Sequence, residues 1–167
     1  PLPVLGQTQA DLRWVEVEVS LSPDQKAMVQ YRIRWNVTGG NMGGFYFQGE
    51  NRSLQWHRPG CGAVVNGVRK YDLEIKDLSN RWDVRLARGQ RYGPGEITYV
   101  LTYFIDYAKI GHLARTVSPE HGDLVVFNWA PVQWNEPIEH YTTRIRFPVE
   151  VLEKELNLAK ATKLGLR

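Results

Sequence analysis

The feature that most constrains this chain is an alternation of period two that returns along most of its length. Val29, Tyr31, Ile33, Trp35 and Val37 are separated by Gln30, Arg32, Arg34 and Asn36. Ile97, Tyr99, Leu101, Tyr103, Ile105 and Tyr107 alternate with a set that includes Glu96, Thr98, Thr102 and Asp106. Successive side chains of an extended strand point to opposite faces, so each run predicts a strand with one apolar and one polar face. A helix would scatter the same residues around its cylinder.

The pattern recurs at Val15, Val17 and Val19, at Phe45 and Phe47, around Tyr71, Leu73 and Ile75, at Trp82, Val84 and Leu86, and at Tyr141, Thr143, Ile145 and Phe147. Residues 124–129 are almost all apolar and predict a central strand, buried on both faces. Turn chemistry separates these runs, as at Ser22-Pro23-Asp24 and Gly39-Gly40-Asn41. Residues 51–67 and 108–123 read as loops. About eight mostly antiparallel strands without alternating helices predict an all-β, immunoglobulin-like sandwich over 11–148. After Pro148 the period changes. Val149, Leu152, Leu156 and Ala159 fall at helical spacing, so 149–167 reads as a short amphipathic helix or linker. Residues 1–10 read as the remnant of a signal peptide or an N-terminal arm, a hint of export.

Composition narrows the function classes. The chain has 167 residues, enough for one domain with its own core. Its 21 basic and 18 acidic residues are interspersed, with no Lys/Arg run of the kind that binds nucleic acid. The single cysteine, Cys61, forbids an internal disulfide. No apolar stretch reaches the length of a membrane span.

The sequence has no Gly-x-Ser-x-Gly elbow, no His-Glu-x-x-His, no phosphate-binding Gly-rich loop and no dinucleotide fingerprint, which predicts a protein that is not an enzyme and holds no cofactor or metal. His57 and Cys61 could pair as base and nucleophile, but they share a turn and lack an orienting third group. Asp106, His112, Glu120, His121 and Asp123 gather in one predicted loop without a tight ligand spacing. Asn36-Val37-Thr38 and Asn51-Arg52-Ser53 match the glycan acceptor pattern.

Two binding surfaces are suggested. Arg32 and Arg34 share one face of a strand, and Arg144 and Arg146 share one face of another. If the two strands are neighbours, four guanidinium groups form a patch for an acidic protein or anionic headgroups. The alternative reading is four separate solvent-facing arginines beside Glu16 and Glu18. Trp56, Trp129 and Trp134 fall outside the alternating inward set. They could stack on sugar faces or plug the end of the sandwich.

The second half carries a resemblance. The segments Gly95-Glu96-Ile97-Thr98-Tyr99-Val100-Leu101-Thr102-Tyr103, Leu124-Val125-Val126-Phe127-Asn128-Trp129, Gln133-Trp134, Glu136-Pro137-Ile138 and Ile145-Arg146-Phe147-Pro148 follow one another. That order resembles the N-terminal domain of the predicted membrane protein family known as domain of unknown function 2207. The resemblance implies an exported β-rich domain, periplasmic or at the cell surface, anchored by a span outside this chain. It also implies a non-catalytic role, in assembly with other membrane or membrane-associated subunits. A carbohydrate-binding module is the alternative, and a hydrolase using the 106–123 loop ranks third.

Overall fold

The computed structural model describes residues 8–148, so the predicted helix or linker over 149–167 lies outside the described residues. The strands are β1 (Gln9–Leu21), β2 (Lys26–Gly39), β3 (Gly44–Phe47), β4 (Gln55–Trp56), β5 (Gly62–Val65), β6 (Val68–Tyr71), β7 (Leu73–Asp77), β8 (Trp82–Leu86), β9 (Gly95–Asp106), β10 (Leu113–Ser118), β11 (Gly122–Phe127) and β12 (His140–Arg146). β1 begins two residues inside the segment read as an arm, with Gln9 opposite Gly39. The fold is an all-β sandwich of mostly antiparallel strands.

The larger sheet runs β12-β1-β2-β9-β5-β6, with the two-residue β4 on the same edge of β9 as β5. β12 lies parallel to β1, and the other pairs are antiparallel. The smaller sheet runs β3-β8-β7. The predicted inward residues of β1, β2 and β9 line one face of the large sheet. Val15, Val19, Val29, Tyr31, Ile33, Tyr99, Leu101 and Tyr103 are fully buried there. The small sheet covers them with Phe47, Trp82, Val84 and Leu86. Rings meet across the two layers: Tyr31 and Phe47 at 5.3 Å, Phe45 and Tyr99 at 5.1 Å. Edge-to-face pairs of this kind add to the burial itself. Gly44 lets β3 approach β8, since a Cβ there would sit 2.0 Å from the Val84 carbonyl oxygen.

One expectation is overturned. Residues 124–129 do not form a central strand. β11 pairs only with β10, in a two-stranded sheet apart from both layers. Val125 and Val126 are exposed, as is Val117 on β10. A short apolar run does not announce its partners, because strand pairing is set by distant segments. Likewise the predicted 51–67 and 108–123 loops hold β4 and β5, and β10.

Candidate functional site

The solvent face of the large sheet is built in rows by its register. Trp14 stands between Arg34 and His140, Glu16 between Arg32 and Thr142, and Glu18 between Gln30 and Arg144. β2 and β12 are therefore not adjacent; β1 runs between them and contributes two carboxylates. Glu18 pairs with Arg144 at 3.4 Å and with Arg146 at 2.7 Å. The Arg34 guanidinium lies 4.5 Å above the Trp14 ring and its Nε donates to Thr98 Oγ1 at 3.4 Å. Arg32 Nε donates to Gln30 Oε1 at 3.3 Å, and Arg32 has no ion pair among the described residues. The four arginines share a face, but two are already matched by Glu18. A shallow hollow of about 190 Å³ opens here between Glu16, Glu18, Arg32 and Arg144. Such exposed pairs are worth at most about 1 kcal/mol each, so this face offers charge pattern more than binding energy.

The three tryptophans stand in different settings. Trp56 packs edge-on against Trp82 at 5.7 Å and Tyr103 at 5.5 Å. Trp129 lies parallel to Phe127 at 6.1 Å, and both rings press on Tyr107. Trp134 packs on Phe45 at 5.9 Å and Phe47 at 6.3 Å. All three are half-buried against the core. Trp134 lines a groove, an opening of about 340 Å³ between β3 and the 132–136 loop. Val132 anchors that loop by donating its backbone N–H to the Tyr31 hydroxyl at 3.2 Å.

The polar residues of the predicted 106–123 loop are dispersed. Asp106 accepts from the Lys109 backbone N–H at 2.9 Å, and His112 Nδ1 lies 2.6 Å from the Asn128 carbonyl oxygen. Glu120 and His121 pair at the hairpin tip. No group of three or more metal-ligating side chains occurs among the described residues. Cys61 is buried and its Sγ lies 3.4 Å from the His57 and Thr102 carbonyl oxygens. Burial pushes its thiol pKa up, which disfavours the thiolate a nucleophile needs. The His57 ring meets Phe104 edge-on rather than the sulfur.

Burial also shapes an internal cluster that the sequence reading did not anticipate. Tyr103 donates its hydroxyl to Glu50 at 2.5 Å, while the buried hydroxyls of Tyr99 and Tyr107 find no partner among the described residues. Desolvation raises the pKa of all three, and pushes Tyr141 up to about 12. The signal was the Tyr99, Tyr103, Tyr107 spacing, which turns three side chains inward, two on β9 and the third just past its end.

The β10–β11 hairpin is the remaining surface of note. Leu113 and Phe127 pack its base onto the core, and Asn128 N–H donates to the His112 carbonyl at 2.7 Å. Beyond the base, Val117 and Val125 share one face and Val126 stands on the other, by the pairing register. All three are open to solvent.

No protein-family model matches the sequence, and no curated protein matches it. Similar solved structures include an M1 zinc metallopeptidase from Deinococcus radiodurans, at 16% identity and TM-score 0.36 over 62% of this chain and 22% of that one. A point mutant of an M1 zinc metallopeptidase from Deinococcus radiodurans aligns at 15% identity and TM-score 0.37, over 71% and 24%. The chain thus spans about a quarter of the length of those proteins. Likeness at this level carries no argument about activity.

Proposed function

We propose that this chain is a non-catalytic β-sandwich module that assembles with other proteins. It would be the extracytoplasmic part of a membrane-anchored protein, acting as an accessory subunit of a membrane complex. The β10–β11 hairpin carries this reading. A two-stranded sheet with valines on both faces and no covering layer among the described residues is marginal alone, and gains stability when a partner buries it. The mixed-charge face of Arg32, Arg34, Arg144 and Arg146 would orient the encounter rather than hold it. Saccharide binding ranks second, because Trp56 and Trp129 are occupied by packing, whereas Trp134 lines a groove.

The test is co-purification of the native, full-length protein from membranes in mild detergent. Stoichiometric subunits are expected with the wild type and are lost from the Val117→Lys/Val125→Lys variant, whose melting temperature stays unchanged. Recovery of the wild type alone would remove the assembly reading.

A further inference from the structure

Among the described residues β3 is paired on one side only, by β8. Among the described residues no hydrogen bond reaches the backbone of 45–47 from its other side. Such an edge offers a row of amide donors and carbonyl acceptors to another strand. The groove of about 340 Å³ lies along this edge. Phe45 faces inward, packed on Tyr99 and Trp35, whereas Tyr46 faces outward and is about half exposed. A single groove lined by both residues must pass around the edge of the strand, because β8 occupies the other side. Its far bank is the 132–136 loop.

The two sides of the groove differ in chemistry. Trp35, Phe45 and Trp134 make the inner side apolar. On the outer side the Arg81 guanidinium lies 3.8 Å over the Tyr46 ring. Arg81 has no ion pair among the described residues, and its Nε is buried without a hydrogen-bond partner.

We infer that the groove receives an extended segment of a partner protein, added as a fourth strand beside β3. This deepens the assembly reading and rests on it. Side chains of an added strand alternate between the two sides. The segment would direct an apolar residue at Trp35, Phe45 and Trp134, and an acidic residue at Arg81. Main-chain bonds to β3 supply affinity, and the two sides supply choice of sequence. A saccharide would not use the unpaired backbone row in this way.

The test pans a phage-displayed random peptide library against the chain, then measures amide hydrogen exchange with an enriched peptide bound. Expected are peptides that alternate apolar and acidic residues, with slowed exchange at the Tyr46 amide, which the alternation of an antiparallel pair turns to the free edge. N-methylation of the peptide amides facing β3 should weaken binding roughly tenfold for each bond removed. The Arg81→Glu change should switch the preference from acidic to basic residues while the β3 amides stay protected. Absence of enrichment, equal binding of the N-methylated peptides, protection elsewhere, or filling of the groove by a neutral oligosaccharide would each overturn the inference. If co-purification depends on the hairpin while the β3 amides stay unprotected, this inference alone fails. If nothing co-purifies, the assembly reading fails first.

Discussion

The strands β2 and β9 and the hairpin β10–β11 are built from similar residues and end in opposite environments. Val29 in β2 is fully buried, whereas Val125 in β11 is 62% exposed and Val117 in β10 is 72% exposed. The difference lies in what covers each sheet. β2 is flanked by β1 and β9 and roofed by the small sheet, so each inward-facing apolar side chain meets another layer. Beyond its base, each hairpin strand has one partner strand and no roof among the described residues. Burial is a property of layers rather than of residue type, and an apolar strand without a layer is surface waiting for a partner.

The largest expected effect comes from the covered region. Leu101→Ala should cost about 2–5 kcal/mol, read as a lower urea midpoint, because the cavity left beneath the small sheet cannot collapse. Val125→Ala should change stability by less than about 0.5 kcal/mol in the same assay. Equal losses would mean that the hairpin is part of the core.

A smaller effect separates Tyr103 on β9 from Tyr107 just beyond its end. Tyr103→Phe removes the bond to Glu50 and leaves that carboxylate short of a donor, which should cost about 1 kcal/mol. Tyr107→Phe removes a buried hydroxyl that bonds nothing and should be neutral or slightly stabilising. Thermal melts of the two variants give the sign of each.

The pH response should also belong to the sandwich. Tyr141 is raised from 10.0 to about 12, with burial as the largest cause. A raised folded-state pKa means that the native state holds its proton where the unfolded state has lost it. Stability is therefore full below pH 10.0 and falls as pH rises toward about 12. The raised values of Tyr99, Tyr103 and Tyr107 act in the same direction. Residues 113–127 contain no tyrosine, so hairpin exchange rates should not share this dependence until the sandwich itself opens. Denaturant midpoints from neutral to alkaline pH check the sign. At the charged face, Arg144→Ala should lower stability by no more than about 1 kcal/mol, with Glu18 still held by Arg146.

The same contrast explains how much was legible in the sequence. The inward faces of β1, β2, β8 and β9 follow from alternation because each is half-buried, the condition under which period two is strongest. Trp82 belongs to the inward set for the same reason. β4 has two residues and cannot show a period, and β10 carries Ala114, Arg115 and Thr116, which mark no face. The arginines of β2 and β12 were legible as sharing a face, but not the intervention of β1. That arrangement depends on a parallel pairing between strands more than a hundred residues apart. The β3 groove was legible only at Trp134. Its opposite side comes from Phe45 and Tyr46, which read simply as a short aromatic strand.

The most direct measurement is amide hydrogen exchange of the hairpin in the protein purified alone and in the assembly recovered from membranes. The account predicts that amides of 113–127 slow by at least about a hundredfold in the assembly, as a roof of partner side chains adds stability to local opening. The amides of β2 and β9 should change little. Equal hairpin exchange in both states, with the partner subunits present, would contradict the claim that this hairpin is the docking element.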